Sequence, residues 1–371
     1  MRVLYFSRSY TPHDHRFLAA LSRTEHEVTY LRLENGRRSP ETRPLPEGIR
    51  PLILWGESGP IRGNAWPMMV VRLRRALHDL KPDLVHAGPV QTCAFPTAVS
   101  GFRPLLSMSW GSDLMHGARR GLGRLSARFA LQRSAAFTCD CLAVRRRALE
   151  LGMAGDRIVV FPWGVDLNHF SPGASDLRTT LGWEGAFVLF SSRSWEPIYG
   201  IQVLVEGFLL AARQDPELRL LLLGDGSLRP LVERRIAQAA ARERVHLAGR
   251  VQHDRLNGYY RAADLYLSAS RSDGSSVSLM EAMACGLPAL VSDIPGNQEW
   301  VEPGVSGWWF ADGDPKALAE GILRAKRHAD SLKAMGMRGR EIAETRADWQ
   351  ENFPRLLEAY QIALAGPRAL G

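Results

Sequence analysis

The chain of 371 residues is long enough for two domains, because single hydrophobic cores stop growing beyond about 250–300 residues. Its composition, 45% apolar and 23% charged, is globular and argues against disorder, collagen and coiled coil. The net charge of +8 is uneven, since residues 1–168 hold 24 Lys and Arg against 14 Asp and Glu. Such a basic half suits anionic lipid, a polyanionic substrate or nucleic acid, although a solvated arginine-rich surface is the commoner explanation.

The sequence favours a cytoplasmic protein without a metal site. Its four cysteines form no Cys-x-x-Cys pair and have no companion histidines at zinc spacing. The start, "MRVLYFSRSY", resembles a first strand rather than a signal peptide, and no apolar run reaches the roughly 18 to 20 residues that cross a bilayer. The basic half adds the inner face of the membrane as an alternative location.

Short apolar runs alternate with amphipathic stretches along the chain, a pattern typical of parallel sheets covered by helices. The first half predicts a helix at 67–82 and strands at 2–7, 27–33, 83–88 and 104–110. The second half predicts strands at 187–192, 218–226, 245–251, 264–270 and 288–293. Its predicted helices are at 199–214, 254–263 and 278–286.

These elements predict an N-terminal domain at 1–168 and a C-terminal domain at 169–347, with a linker rich in Pro, Gly and Ser at 161–176. Residues 348–371 are expected to form a terminal helix, clearest over 348–365, that packs back on the N-terminal domain. Open parallel sheets bind ligands at the carboxyl ends of their strands. Polar residues that follow strands are therefore the first candidates for a site.

Two carboxylates stand out in "SRSDGSSVSLMEAMACGLPALVSD" (270–293), where Asp273 follows a strand and Glu281 lies early in the next helix. The backbone amides of "GSS" between them favour phosphate oxygens, and ionised carboxylates accept hydrogen bonds from hydroxyls. Phosphate flanked by hydroxyls describes a nucleotide sugar. The alternative from these residues alone is that Asp273 caps the helix and Glu281 is a partly buried structural acid.

The surrounding segments resemble the retaining nucleotide-sugar glycosyltransferases of family 4. The specific matches in the second half are "EAMACGLP" (281–288), "SSRSWEPIYG" (191–200), "LLLLGDGSLRP" (220–230), "VHLAGRV" (245–251), "YYRAADLYLSAS" (259–270) and "VEPGVSGWWF" (301–310). Looser matches in the first half are "SWGSDL" (109–114), "LAVRRRALELG" (142–152) and "VVFPWGVDLNHFSP" (159–172). The resemblance implies the α/β GT-B fold, in which two Rossmann-like domains face each other across a cleft.

The resemblance also implies roles for residues of the second half. It assigns the ribose hydroxyls to Glu281, the donor sugar to Asp273 and the diphosphate charge to Arg193. The remaining donor-side residues are Gly274, Ser275, Ser276 and Val277 around the sugar and diphosphate, and Arg250, Val251, Gly224 and Gly226 around the nucleobase.

Two positions depart from the family pattern. Asp273 stands where the family has a glutamate, which shortens the side chain by one methylene. Tyr199 stands just before Gly200, where the family usually has a lysine, so one phosphate cation is missing. We therefore add Glu196 and Tyr199 to the donor-side candidates.

Candidates in the first half are fewer. Asp113 follows a predicted strand and is either a catalytic contact to the sugar or acceptor or a helix cap, with equal weight. His13 and His15 follow the first strand and are candidate acceptor contacts or surface residues, and Trp110 stands where several relatives have histidine. The run "RRR" (145–147) and its neighbouring arginines form either a solvated face or a peripheral membrane seat for a lipid-linked acceptor.

The resemblance implies a retaining hexosyltransferase that uses a nucleoside diphosphate sugar, such as a UDP-sugar, without cofactor, metal or protein nucleophile. The acceptor is a hydroxyl of a glycan, a lipid-linked molecule or a small molecule, as in polysaccharide biosynthesis. Rivals are an epimerase, a phosphorylase, and an inactive GT-B protein that binds a glycan, an anionic membrane or another polyanion. No recognised nucleic-acid module occurs.

Overall fold

The computed structural model describes residues 1–34, 41–55 and 66–366. The chain divides into two compact units, unit 1 (Met1–Phe161 with Phe353–Gly371) and unit 2 (Pro162–Asn352). The domain limits expected at 168/169 and 347/348 stay a prediction. The last five residues of the expected terminal segment, 367–371, lie outside the described residues.

Unit 1 contains, among its described residues, a seven-stranded parallel sheet in the order β3-β2-β1-β4-β5-β6-β7. The strands are β1 (Arg2–Ser7), β2 (Glu27–Arg32), β3 (Arg50–Leu52), β4 (Leu84–Gly88), β5 (Leu105–Met108), β6 (Ala136–Cys139) and β7 (Ile158–Val160). The helices are α1 (Pro12–Leu21), α2 (Trp66–Leu80), α3 (Phe95–Ser100), α4 (Gly121–Arg133) and α5 (Leu142–Glu150).

The central strands of unit 1 are buried on both faces. Every residue of β4, β5 and β6 is buried, which explains why their sequences are continuous apolar runs rather than alternating ones. α2 covers the sheet with Leu73 and Leu77, which belong to the same apolar core as Leu4 and Phe6 of β1. The sheet therefore presents functional groups only at the ends of its strands.

Unit 2 contains a six-stranded parallel sheet in the order β10-β9-β8-β11-β12-β13. The strands are β8 (Phe187–Ser191), β9 (Leu218–Leu223), β10 (Val245–Gly249), β11 (Leu265–Ser268), β12 (Ala289–Ser292) and β13 (Gly307–Phe310). The helices are α6 (Leu177–Leu181), α7 (Ile201–Gln214), α8 (Arg229–Ala237), α9 (Leu256–Arg261), α10 (Val277–Ala284), α11 (Pro295–Gln298), α12 (Pro315–Arg327) and α13 (Ala329–Arg346).

Helices cover both faces of the unit 2 sheet. On one face α7 packs closely against α12, because Gly207 leaves room for Leu318; a Cβ at this glycine would lie 2.7 Å from Leu318 Cδ2. On the other face α10 places Leu279 and Met283 in a second core with Val188 of β8. Both units are therefore Rossmann-like α/β layers, as the sequence predicts.

The predicted elements are confirmed, with ends that differ by a few residues. The final helix α14 (Trp349–Ala365) confirms the helix expected at 348–365, and its Tyr360 hydroxyl lies 3.0 Å from His86 Nδ1 of unit 1. The segment 161–176 has no helix or strand of its own. Prediction missed β3, β6, β7 and β13, which have only three or four residues each.

The structure also bears on the membrane and cysteine expectations. Within the described ranges, no helix combines the length and the apolar character needed to cross a membrane. All four cysteines are free and buried.

Candidate functional site

The candidate site lies where β8 and β11, neighbours in the unit 2 sheet, reach their carboxyl ends. β8 continues through Ser192 and Arg193 into a short turn, Pro197–Tyr199, before α7 begins. β11 continues through Asp273 into α10. Because parallel strands end at the same edge of a sheet, these two connections meet there.

Arg193 and Asp273 form a largely buried ion pair at this edge. Arg193 Nη2 donates to Asp273 Oδ2 at 2.5 Å, while Nη1 donates to Ser276 Oγ at 2.7 Å and to Ser278 Oγ at 3.1 Å. The two charged side chains are only 11% and 15% exposed. One guanidinium therefore bridges a carboxylate and two hydroxyls at the beginning of α10.

Burial and pairing act in opposite directions on these two charges. Burial raises the pKa of Asp273, and the facing Arg193 guanidinium opposes that rise. Burial alone would lower the pKa of Arg193, but the Asp273 carboxylate leaves it above its ordinary value. Arg193 therefore remains a cation, and an anionic ligand could replace Asp273 as its partner.

Tyr199 supplies an aromatic face to the same guanidinium. Arg193 Cζ lies 4.2 Å from the centre of the Tyr199 ring, which is a cation–π contact. Glu196 fixes the turn before Tyr199, since its carboxylate accepts from the Ser227 amide at 2.8 Å and from Ser227 Oγ at 2.5 Å. In place of the second cation of the family pattern, this chain therefore has the Tyr199 ring, which contacts the Arg193 guanidinium.

Glu281 lies within α10 and is connected to the arginine cluster through Tyr260. The Tyr260 hydroxyl donates to Glu281 Oε2 at 2.7 Å and lies 3.0 Å from Ser192 Oγ. Burial raises the pKa of Tyr260, so its hydroxyl keeps its proton. The second carboxylate of the sequence motif is thus held in place by a side chain of α9.

The loop between the two carboxylates is tightly packed. Its Gly274 amide donates to Asp273 Oδ1 at 3.1 Å, and Ser275 Oγ accepts from Trp300 Nε1 at 2.9 Å. Ser276 precedes α10 without capping it, and its hydroxyl instead accepts from Arg193. Val277, the first residue of α10, packs against the apolar core.

Two glycines shape the neighbouring loop after β9. A Cβ at Gly224, where φ is +115°, would lie 2.5 Å from the Arg193 carbonyl oxygen, and one at Gly226 would lie 2.5 Å from the Trp195 carbonyl oxygen. Both positions therefore require glycine for the loop to lie against residues 193–196. After β10, Arg250 Nε lies 3.7 Å from Asp225 Oδ2, and Val251 is partly buried against the core.

In unit 1 both oxygens of the Asp113 carboxylate accept hydrogen bonds from neighbouring residues. Oδ2 accepts from the Val90 amide at 2.9 Å, and Oδ1 accepts from Ser109 Oγ at 2.6 Å. Burial raises the pKa of Asp113, and these two hydrogen bonds oppose the rise. Asp113 thus joins the loop after β5 to the helical turn Val90–Ala94 after β4.

The histidine loop of unit 1 places His13 and His15 differently. The His13 ring lies 5.3 Å from that of Trp110, so these two candidates are in contact. His15 Nδ1 lies 2.6 Å from the Tyr10 hydroxyl, and burial lowers the pKa of His15. Between them, Asp14 is buried and completes the capping box of α1, because its carboxylate accepts from the backbone amide of the N-cap residue Thr11.

The structure therefore brings Arg193, Asp273, Ser276 and Tyr199 into one cluster, and connects Glu281 to it. Sequence reasoning missed three members, Ser278, Tyr260 and Tyr266, although all three fall in segments that matched the family pattern or its motif. The Tyr266 hydroxyl lies 2.7 Å from Ser278 Oγ. No cluster of three or more His, Cys, Asp or Glu suited to a metal ion occurs in the part of the chain that the structure describes.

Two Rossmann-like units in one chain, the second carrying a charged cluster at its carboxyl edge, define the GT-B class. A crystal structure of the Anabaena protein HepE with UDP-glucose aligns over 97% of this chain and 99% of its own, with a TM-score of 0.79 and 20% identity. Sucrose-phosphate synthase from Thermosynechococcus elongatus aligns over 98% of this chain and 100% of its own, with a TM-score of 0.80 and 20% identity. These likenesses confirm the expected GT-B fold.

Family models match both parts of the sequence. Residues 13–169 match the model described as Glycosyltransferase Family 4, and residues 185–328 match the model described as Glycosyl transferases group 1. The chain therefore belongs to the GT-B glycosyltransferases, which confirms the family resemblance of its motifs.

The alignments with curated relatives cover only part of each relative's sequence. D-inositol 3-phosphate glycosyltransferase from Xylanimonas cellulosilytica is 32% identical over 218 residues, covering 55% of this chain and 51% of the relative. The amylovoran biosynthesis glycosyltransferase AmsK from Erwinia amylovora is 29% identical over 220 residues, covering 58% of this chain and 53% of the relative. The chain spans about half the length of the curated relatives it matches.

Proposed function

We propose that this protein transfers a hexose from a nucleoside diphosphate sugar to an acceptor hydroxyl, with retention of configuration. The observation that carries the proposal is the buried Arg193, held between Asp273 and two serine hydroxyls at the start of α10. A guanidinium beside a helix N-terminus suits a diphosphate, and the adjacent carboxylate suits sugar hydroxyls. Relatives that bear glycosyltransferase names support the same proposal.

In this proposal the donor occupies the carboxyl edge of unit 2. Arg193 and the amides that begin α10 bind the diphosphate, and Asp273, once released from Arg193, accepts hydrogen bonds from the sugar. Glu281 accepts hydrogen bonds from the ribose. The remaining donor-side candidates, assigned to the loop around the sugar and to the nucleobase, are Gly274, Ser275, Ser276, Val277, Glu196, Tyr199, Arg250, Val251, Gly224 and Gly226.

The proposed reaction balances without a protein nucleophile. The bond between sugar C1 and the leaving phosphate oxygen breaks, and the acceptor oxygen bonds to C1 on the same face. The acceptor proton passes to the leaving phosphate. Arg193 stabilises the negative charge that develops on that phosphate.

Acceptor contacts are proposed for unit 1, at His13, His15, Trp110 and Asp113. The exposed apolar residues of α4 favour an acceptor presented at an anionic membrane. Leu122 and Leu125 are 84% and 63% exposed, and they lie among Arg120, Arg124 and Arg128. Exposed leucines flanked by arginines are the combination by which a surface helix binds an anionic bilayer.

Vesicle binding tests the membrane part of the proposal. The protein is expected to float with phosphatidylglycerol vesicles and much less with phosphatidylcholine vesicles, and high salt should weaken the binding. Leu122→Ser with Leu125→Ser should reduce flotation, while Leu364→Ser, an exposed leucine of α14, serves as the control. Equal flotation of wild type and the α4 variant would remove the membrane from the proposal.

Donor binding and turnover test the main proposal. A panel of UDP-, GDP- and ADP-sugars is offered to the protein, and thermal stabilisation, nucleotide release and the sugar product are recorded. One donor should stabilise the wild type and release its nucleotide slowly, and Glu281→Ala should lose both effects. Glu243→Ala, at an exposed surface turn of unit 2, is the matched control.

The other outcomes identify the rivals. A sugar isomer that appears without nucleotide release would make the protein an epimerase. No stabilisation by any nucleotide or sugar nucleotide would contradict the proposal and favour an inactive protein that binds a glycan, membrane or other polyanion.

A further inference from the structure

We infer that Tyr260 is the positioning residue that makes the donor site selective for ribonucleotides, because its hydroxyl holds Glu281 in the orientation that receives the ribose. The inference rests on the proposed function, in which Glu281 binds the ribose, and it adds a residue with no assigned role. Tyr260 lies on α9 and does not itself contact the donor in this scheme.

The Tyr260 hydroxyl is the meeting point of three elements. It donates to Glu281 Oε2 of α10 at 2.7 Å, and it lies 3.0 Å from Ser192 Oγ, the residue after β8. The Ser278 carbonyl oxygen of α10 lies 3.2 Å away. Removal of this hydroxyl would take away the contact of Ser192 Oγ with Tyr260 and the hydrogen bond that Glu281 Oε2 accepts from it.

The single proton of the tyrosine determines how these bonds are shared. A phenol donates one hydrogen bond, and the charged carboxylate at 2.7 Å is a better acceptor than the carbonyl oxygen at 3.2 Å. Ser192 then donates its own proton to the tyrosine oxygen. The chain Ser192–Tyr260–Glu281 therefore has one consistent direction, with the carboxylate at its receiving end.

The same chain ties the nucleoside side of the site to the diphosphate side. Ser192 directly precedes Arg193, and Ser278, whose carbonyl oxygen faces Tyr260, also binds Arg193 through its hydroxyl at 3.1 Å. A change in the Tyr260 hydroxyl would thus act on Glu281 directly and on Arg193 only through the backbone. Its main effect should be on how the ribose is recognised.

The packing around Tyr260 allows this hydroxyl to be removed cleanly. Tyr260 is 1% exposed, and its ring packs against Phe170, Phe190 and Tyr266. Tyr260→Phe preserves these ring contacts and removes only the oxygen. Tyr266→Phe is a matched control, because it also removes a buried hydroxyl from the cluster but one that contacts Ser278 rather than Glu281.

The experiment measures ribose discrimination by calorimetry. Dissociation constants are compared between UDP, GDP or ADP, whichever binds the wild type, and the 2′-deoxy and 3′-deoxy forms of the same diphosphate. The wild type should prefer the ribonucleotide, and Glu281→Ala, which removes the acceptor oxygens, should remove that preference. Tyr260→Phe should reduce the preference about tenfold by weakening the ribonucleotide alone, and Tyr266→Phe should leave the ratio unchanged.

Each result separates the inference from the proposed function. If Glu281→Ala removes the preference and Tyr260→Phe does not, Tyr260 is a packing residue and the inference is wrong while the proposed function stands. If no diphosphate binds, or Glu281→Ala leaves the preference intact, the assigned role of Glu281 fails and takes the inference with it. If Tyr260→Phe does not fold, Ser192→Ala replaces it and should shift the ratio in the same direction.

Discussion

In unit 2, the carboxylate of Asp273 faces the guanidinium of Arg193, whereas in unit 1 the carboxylates of Asp14 and Asp113 face amides and hydroxyls nearby. Asp14 accepts from the Thr11 amide at 2.9 Å and from the Tyr5 hydroxyl at 3.1 Å. All three acids lie in connections that follow strands of parallel sheets. Their partners differ in kind, since Asp273 faces a charged guanidinium and the two acids of unit 1 face uncharged amides and hydroxyls.

The cation of an ion pair can exchange one anionic partner for another. Amides and hydroxyls that donate to a buried carboxylate have no such replacement at hand. In the proposed function, a diphosphate that approaches Arg193 replaces the charge of Asp273 with its own, so the arginine keeps a counter-ion. A ligand that drew Asp14 or Asp113 away would leave buried amides without an acceptor, at a cost of about 1–3 kcal/mol for each group. The comparison therefore favours unit 2 for the proposed charge chemistry. For Asp113 it sets a structural interpretation against the proposed acceptor contact.

The largest effect is expected from Arg193→Gln, which removes the exchangeable cation. Turnover of the donor should fall in kcat/KM by about two to three orders of magnitude, because the leaving phosphate loses its main electrostatic support. The free energy of unfolding should also fall, by about 3 kcal/mol near pH 7, since Asp273 would remain buried without a counter-charge. Steady-state kinetics and urea denaturation measure the two losses.

Arg235→Gln is the control for this substitution. Arg235 pairs with Glu206 on the surface of unit 2, where both side chains are more than a third exposed, so its loss should change stability little. Turnover that survives Arg193→Gln would place the diphosphate elsewhere and break the contrast between the two units.

The second prediction concerns the pH dependence that Asp14 gives to unit 1. Burial raises the pKa of Asp14 to about 6, although hydrogen bonds from Thr11 and Ser7 oppose the rise. The folded protein therefore binds a proton more tightly than the unfolded chain, and Asp14 stabilises the fold less as pH rises from about 4 to about 6. The loss over this range amounts to about 3 kcal/mol.

Asp14→Asn tests this directly, because asparagine keeps an acceptor oxygen and does not ionise. Relative to wild type, the variant should gain stability as pH rises from 4 to 7, and urea denaturation at each pH measures the difference. Donor binding should not change. A stability difference that is independent of pH would show that Asp14 titrates as an ordinary exposed acid.

Much of the fold could be predicted from the sequence, because buried parallel strands such as β1 and β8 are continuous apolar runs between amphipathic helices. The missed strands show the limit of that signal. β3 has the sequence RPL and β7 has IVV, and three residues carry no periodicity. Their place is fixed by the neighbouring strands with which they pair.

The candidate site was predictable where it is local and unpredictable where it is not. The spacing of Asp273 and Glu281 is visible because one loop and one helix carry both. The Arg193–Asp273 pair joins residues 80 positions apart, and no local pattern specifies it. Conversely, Thr11 and Asp14 have the spacing of a capping box, which is a local signal for the beginning of α1. The sequence interpretation of this loop considered only the neighbouring histidines.

The smallest effect is expected from Asp113→Asn, which decides between the two interpretations of that residue. If Asp113 only joins its loop to the turn Val90–Ala94, the amide side chain still accepts one of the two hydrogen bonds. The free energy of unfolding should then fall by about 1 kcal/mol. Under conditions in which the variant is fully folded, kcat/KM should stay within about twofold of wild type. Denaturation and donor kinetics on the same preparation measure both quantities.

Ser109→Ala accompanies this variant, because it removes the hydroxyl partner of Asp113 and leaves the carboxylate charge in place. A structural Asp113 makes the two variants alike in turnover, whereas their stabilities differ in any case because Ser109 Oγ also accepts from the Gly111 amide at 3.0 Å. A catalytic Asp113 makes them differ, since only Asp113→Asn would then lower kcat while the fold remains intact. That second result would place a functional acid in unit 1. It would also show that accepting a hydrogen bond from a backbone amide does not by itself make an aspartate structural.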